Sequence, residues 1–382
     1  MSENADFAPA AVPGSQRQCP MPAPAAVDVT LLDLRGVRHA VDTVLDTFLA
    51  EKRRTESACH LPRETGEALH ALLFSGGKRL RPLLCVLGWY AASGQEDITP
   101  VLHAAASLEM FHTFALIHDD VVDRSATRRG RPTLHRVLAD LHRGARSQAQ
   151  AEHLGISTAI LIGDLALAWS DELFPTTCLT PAQLAAALPV VENMRTELMY
   201  GQYLDVVAAG RPTSDIERAM EIVRYKTAKY TVERPLHIGA ALAGTAADTR
   251  SALSAFALPL GEAFQLRDDL LGVFGTLDTT GKSCMEDLRD GKHTVLLAHA
   301  LQRADPVQRQ ALEKLVGDPG LDEGGAARIR DILIATGARD SVEHMITSRR
   351  ERALRSLDTG PFPLAATDAL RQIAYDTTTR VA

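Results

Sequence analysis

Apolar residues recur along most of this chain every three or four positions, the spacing of a helix laid against a core. Leu31, Leu34, Val37, Val41, Leu45 and Phe48 mark a first amphipathic helix between Val29 and Lys52. An apolar run from Pro82 to Ala92 predicts another, with proline near its start, where the missing N–H costs little. Val101, Ala105, Leu108, Phe111 and Ala115 mark a third, and the stretches Ile156–Trp169 and Ala182–Ala208 read the same way. Between them, Arg124 to Ser157 is polar, with a short helix expected around Leu134–Arg143. No stretch alternates convincingly with the period of a strand. The pattern predicts one all-α domain, a helical bundle over residues 30–382. Residues 1–29 carry five prolines before Val27 and little periodicity, so this Ala/Pro-rich tail is expected to be disordered or loosely attached.

Composition narrows the class. The 382 residues are enough for a large core, and the aromatic share of 5% with few β-branched runs favours helix over sheet. Lys and Arg number 41 against 48 acidic residues, and the net −7 argues against a nucleic-acid partner. Cys19, Cys59, Cys85, Cys178 and Cys284 are odd in number and show no CxxC spacing, which reads as reduced thiols. No uninterrupted apolar run reaches the length of a membrane span; Thr158–Trp169 is broken by Asp164, taken as structural. The start of the chain lacks the basic region and apolar core of a secretory signal. A cytoplasmic protein without an integral membrane segment is expected.

The chemistry is concentrated in Phe111 to Pro132. Continuing the helix through Ala115 puts Asp119 and Asp123 on one face, with Asp120 about 100° round from Asp119. Three carboxylates at the end of an apolar helix repel one another unless a cation neutralises them, and carboxylate oxygens suit Mg²⁺ shared with substrate phosphates. Arg128, Arg129 and Arg131 follow, with flat forks that match phosphate oxygens. A second aspartate pair, Asp268 and Asp269, lies far downstream in another apolar segment. Metal ligands beside phosphate ligands describe a diphosphate site.

From Asp119 to Thr133 the chain reads DDVVDRSATRRGRPT. It thereby resembles the trans-prenyl diphosphate synthases, the head-to-tail isoprenoid chain elongation enzymes, whose first motif runs DDxxD, a short gap, then RRGxPT. The ordered matches from Gly76 to Lys292 cover more than half the chain. The resemblance implies the isoprenoid synthase fold, a bundle around a deep central cavity with two aspartate-bearing helices facing across its mouth, and a homodimer. It implies about three Mg²⁺ per active site, with Asp119, Asp120, Asp123, Asp268 and Asp269 as the metal-binding aspartates. The GGKRLRP turn matches the family's grip on isopentenyl diphosphate through Lys78 and Arg81, joined by His112 and Arg129. Gln202 and Asp205 match GQxxD, lining the cavity. Lys226 and Thr227 match KTA; Lys226, with Arg128, Lys282 and Lys292, holds the allylic diphosphate, while Thr227 steadies the nascent cation and Gln265 joins it as a catalytic residue.

Two features set the finer expectations. Gly272 stands where the second motif's third aspartate is usual; the family uses the first aspartate of that motif, here Asp268, as the ligand, so the departure bears on support around the metal. Phe111, Phe114 and Ala115 lie beneath Asp119 on its helix and are the chain-length candidates, each turn adding about 5.4 Å of depth. Ala115 leaves the first turn open, which favours geranylgeranyl diphosphate; the aromatic Phe114 keeps farnesyl diphosphate as the alternative. A class I terpene cyclase takes a single diphosphate, and the GGKRLRP turn speaks against it. A non-catalytic synthase subunit would lose aspartates that this chain keeps, and a helical binding module leaves the ordered motifs unexplained. Arg380 is placed near the end of the chain, where some relatives carry a cationic tail.

Overall fold

Helix starts fall where the sequence supplies caps. In the computed structural model, which describes residues 32–94, 97–174, 179–210, 212–244, 247–275 and 285–379, α1 (Leu34–Ala58) begins behind Asp33, whose carboxylate accepts the Arg35 N–H. α2 (Glu64–Leu73), α3 (Leu80–Ala91) and α4 (Thr99–Val122) follow. Two-residue strands β1 (Thr127–Arg128) and β2 (Arg131–Pro132) then pair antiparallel, before α5 (Leu134–Leu141). Reciprocal capping boxes, Ser147 with Gln150 and Thr180 with Gln183, start α6 (Gln148–Leu173) and α7 (Pro181–Ala208). α8 (Ile216–Ile222) runs without a break into a π-helical segment, Val223–Glu233, and on into α9 (Arg234–Leu242). α10 (Ala247–Phe274) carries the second aspartate pair. The chain continues through α11 (Glu286–Arg289), α12 (Val295–Arg303), α13 (Pro306–Leu315), α14 (Glu323–Ala335), α15 (Ala338–Thr359) and α16 (Leu364–Thr378).

This is the all-α bundle that the periodicity predicts. The first helix is offset, running past Lys52 to Ala58, and α6 begins at Gln148, earlier than its apolar run announced, because a polar capping box starts it. The small hairpin was not expected. Its turn residues Arg129 and Gly130 have φ of 53° and 72°, the left-handed pair of a two-residue hairpin turn, too short to leave a periodic signal. The tail over residues 1–29, Lys282 and Arg380 lie outside the described residues.

α4 is the spine: it packs against α1, α3 and α6, and buries Met110, Phe111 and Ile117 almost completely. By length and composition α4 and α6 are apolar enough to cross a membrane, a test that the core helix of a globular protein also passes. Yet 72% of the apolar window of α4 is buried in the protein, against 33% for α6. The π-helical segment is clamped between α7 and α10. A Cβ on Gly201 would lie 2.4 Å from the Lys226 nitrogen, and one on Gly261 2.5 Å from the Ala228 Cα, so only glycine permits either approach. Bulges of π geometry are frequent at functional sites.

The turn before α3 is held by Arg79, which is buried. It donates to Asp42 (2.7 Å), Glu109 (2.8 Å) and the Leu73 carbonyl (2.8 Å), tying α1, α2 and α4 together. Gly201→Ala must displace backbone at the clamp and is expected to lower stability by about 1–3 kcal/mol, measured by urea denaturation. An unchanged midpoint would show that the approach of α7 to the π-helical segment is looser than this.

Candidate active site

The last turn of α4 brings Asp119 to a junction of three other elements. Its Oδ1 accepts from Lys226 Nζ of the π-helical segment (3.2 Å) and Gln202 Nε2 of α7 (3.1 Å). Its Oδ2 accepts from Arg128 of β1 (3.2 Å), whose Nε also reaches the buried Asp120 at 2.7 Å. Lys226 bonds Asp205 as well, at 2.6 Å. One turn on, Asp123 pairs with Lys292 Nζ (3.1 Å), which stands 3.5 Å from Asp287 Oδ1. The carboxylates of the first motif are thus neutralised by cations from three separate stretches, with Gln202 adding a neutral donor from a fourth.

Charge and burial oppose each other here. Burial alone would raise the Asp119 carboxyl, but Lys226, Lys292 and Arg128 outweigh it and hold the group well below the usual carboxylate range. Lys226 and Lys292 are pushed upward in turn, since their acidic neighbours overcome a desolvation that would lower them. On the opposite wall the balance reverses. Asp269 is raised to about 7, chiefly by burial, with Asp287 and Asp268 adding to the effect against the hydrogen bond from Gln265. Asp290 is raised to about 6 by burial, against the attraction of Lys292.

A polar chain crosses from one wall to the other. Thr227 Oγ1 donates to Gln265 Oε1 (2.6 Å), and Gln265 Nε2 donates to Asp269 Oδ1 (2.8 Å). A cavity of about 70 Å³ opens beside these bonds, lined by Asp205, Lys226, Thr227, Gln265, Asp269 and Lys292 among others. Asp268 is half-buried beside it on α10. Among the described residues no three His, Cys, Asp or Glu side chains form a ready-made metal cage. The acidic groups meet cations of the protein instead.

A second basic group lies around α4 from the first. Arg129 donates to the Gly76 carbonyl, joining the hairpin to the glycine turn that carries the exposed Lys78. Arg81 donates to Thr231 (2.6 Å) and lies 4.3 Å over the Tyr230 ring, whose hydroxyl is 3.2 Å from His112 Nδ1. Burial, reinforced by Arg81, Arg128 and Arg129, pushes the His112 imidazole well below its usual value, so it is neutral. Below, Phe111 meets Phe114 at 5.4 Å and the Tyr230 ring edge-on at 5.8 Å; both phenylalanines are buried and Ala115 is half-buried.

The fold thus brings Asp119, Asp120, Asp123, Arg128, Lys226 and Lys292 together in one group and Arg81 and His112 in the other, with Phe111 and Phe114 packed below. Sequence patterns missed Arg79, Tyr230 and Asp287. Arg79 was hidden among three cations of one turn, and Asp287, though part of the GKxxxxDLxxGK match, had no role assigned to it; nothing in the local pattern distinguishes Tyr230.

Comparison with known proteins agrees with this geometry. Residues 62–333 match the model of the family described as polyprenyl synthetase. A geranylfarnesyl diphosphate synthase from Aeropyrum pernix is 32% identical over 82% of this chain and 93% of its own. A (2E,6E)-farnesyl diphosphate synthase from Mycobacterium tuberculosis is 32% identical over 69% of this chain and 68% of its own. Among solved structures, geranylgeranyl pyrophosphate synthase from Corynebacterium glutamicum, complexed with isoprenyl diphosphate and magnesium, superposes with a TM-score of 0.87. It shares 39% identity over 92% of this chain and all of that one.

The raised Asp269 carboxyl makes a pH test. Its value of about 7 in the fold, against 3.8 ordinarily, means that the folded chain keeps a proton the unfolded chain releases. That contribution to stability is fully present below about pH 4 and is lost as pH rises through 7. Asp269→Asn is expected to raise the melting temperature of the metal-free protein more at pH 8 than at pH 5. Equal shifts at both pH values would contradict the burial argument.

Proposed function

This chain belongs to the polyprenyl synthetase family, a prenyltransferase of head-to-tail isoprenoid chain elongation, and from that premise we propose its substrates, product and site. It condenses isopentenyl diphosphate with allylic diphosphates, releasing pyrophosphate, with geranylgeranyl diphosphate as the main product. The observation that carries the two-substrate reading is the separation of two basic groups around α4. Lys226, Lys292 and Arg128 surround the aspartates, while Arg81, Arg129 and Lys78 gather at the glycine turn. A cyclase acting on a single diphosphate has no use for the second.

The residues fit magnesium, with which the similar Corynebacterium glutamicum synthase is complexed. Asp119, Asp123 and Asp268 would hold it, with Asp120 and Asp269 beside them, and all supply the hard oxygen donors that Mg²⁺ prefers. When bound, the metal withdraws electron density from the allylic diphosphate and eases its departure. Carboxylates engaged by a metal no longer need Lys226, Lys292 and Arg128, and those cations are then free to take phosphate oxygens. They spread the charge that collects on the leaving group as the allylic C–O bond breaks. Thr227, locked to Gln265 at the cavity wall, faces the allylic cation with an oxygen dipole. Isopentenyl diphosphate, held by Arg81, Arg129, Lys78 and neutral His112, presents its double bond, and placement does most of the remaining work. The departing pyrophosphate takes the final proton.

Product length is set beneath Asp119. The similar proteins are named as synthases of products from farnesyl to nonaprenyl diphosphate, so identity alone does not choose. The small Ala115 one turn down and Phe111 two turns down, packed against Tyr230 and Phe114, support the twenty-carbon reading. Farnesyl diphosphate is the second reading, favoured by the Phe114 ring in that wall. The protein also works as a homodimer on this reading. Leu161 of α6 and Leu188, Tyr200 and Tyr203 of α7 are exposed, an apolar surface that a second copy covers. Light scattering is expected to give twice the chain mass, and a monomer that partitions onto lipid vesicles would overturn it.

Incubation with isopentenyl diphosphate, each allylic primer and Mg²⁺ is expected to give geranylgeranyl diphosphate, and chelation to abolish turnover. Asp119→Ala is expected to cost about a thousandfold in kcat, roughly 4 kcal/mol. Phe111→Ala is expected to lengthen the main product while the first condensation keeps its rate. Full turnover in excess chelator would remove the metal from the account, and an unchanged product from the Phe111 variant would put the floor elsewhere.

A further inference from the structure

Contacts at two levels set α7 in register with α4. At the mouth, Gln202 of α7 meets Asp119 of α4 at 3.1 Å. Two turns below Asp119 lies Phe111, and two turns before Gln202, on the same face of α7, lies Arg195. These two meet as well: the guanidinium carbon of Arg195 stands 5.4 Å from the centre of the Phe111 ring. Between Gln202 and Arg195 the same face carries the buried Leu198.

Below the ring the surroundings turn polar. Arg195 Nη2 donates to Ser170 Oγ of α6 (3.3 Å) and pairs with Asp171 Oδ1 (2.5 Å). One turn beneath Phe111, Ser107 donates to the Ser170 carbonyl at 2.7 Å. The phenylalanine ring is buried, whereas the side chains of Arg195 and Asp171 are 24% and 59% exposed. At the level of Phe111 the α7 wall therefore changes from an apolar side chain to an ion pair that reaches water.

Building on the chain-length reading of Phe111, we propose that Arg195 is a specificity-determining residue that limits product length. A guanidinium lying against an aromatic ring attracts it and steadies its position. Should a prenyl chain pass the ring, the Arg195–Asp171 pair is the next surface it meets. Hydrocarbon pressed there must strip water from the pair or displace its partners, and it offers no hydrogen bond in return. The limit then has two layers, an aromatic ring and a charge, and only the first is set by side-chain size.

The test compares product lengths after incubation with isopentenyl diphosphate, one allylic primer and Mg²⁺. Phe111→Ala is expected to lengthen the main product by one prenyl unit and to stop there. Adding Arg195→Met, which replaces the charge with an apolar side chain, is expected to raise the share of products two or more units longer than the parent's by about tenfold. Adding Arg195→Gln instead, smaller than arginine yet polar, is expected to keep the stop of Phe111→Ala. Should a double variant fail to fold, Arg195→Met alone carries the test. It is expected to raise the share of products one unit longer by about threefold.

Products no longer in the Phe111→Ala, Arg195→Met variant than in Phe111→Ala would overturn the proposal. So would equal lengthening by Arg195→Gln and Arg195→Met, which would make Arg195 a matter of volume alone. In the single variant, an unchanged product share would overturn it too. If Phe111→Ala itself leaves product length unchanged, the chain-length reading of Phe111 falls, and this proposal with it.

Discussion

Asp119 is the point on which the arrangement depends. A carboxylate that would be costly to bury alone is satisfied from three directions, by Lys226 of the π-helical segment, Gln202 of α7 and Arg128 of the hairpin. Two of those partners require a local peculiarity of the backbone. Lys226 comes within reach because glycines on α7 and α10 let the π-helical segment be clamped between them. Arg128 is brought back over α4 by a hairpin whose two turn residues are left-handed.

The resulting site holds its charges in a poised state. On the α4 wall the acids are ionised and compensated by lysine and arginine; on the α10 wall Asp269 is buried with too little compensation and keeps a proton near neutrality. A multivalent cation changes both conditions together. Held by Asp119, Asp123 and Asp268, it would supply the positive charge that Asp269 lacks, and Lys226, Lys292 and Arg128 would then be available to an anion. Binding of metal and of diphosphate is on this account a single exchange of ionic partners, which explains why basic and acidic groups are interleaved so densely at one mouth.

Much of this was legible in the sequence, and the reasons for the rest are physical. Helical periods gave the bundle, and the spacing of Asp119, Asp120 and Asp123 gave the acidic face, because both follow from 3.6 residues per turn. The hairpin left no periodic trace, since its strands are two residues long. The π-helical segment is read from backbone hydrogen bonding, which side-chain patterns do not encode. Arg79 had no role assigned among the cations of its turn, and its burial against Asp42 and Glu109 depends on partners on other helices.

The central claim is that protein cations hold the places of the metal until substrate arrives, and Lys226 tests it most directly. Lys226→Met removes the cation that shares Asp119 with Gln202 and Arg128. Calorimetric titration of Mg²⁺ alone, with no diphosphate present, is predicted to show binding at least about tenfold tighter in this variant than in the parent, roughly 1.4 kcal/mol. Unchanged or weaker Mg²⁺ binding in Lys226→Met would contradict the exchange.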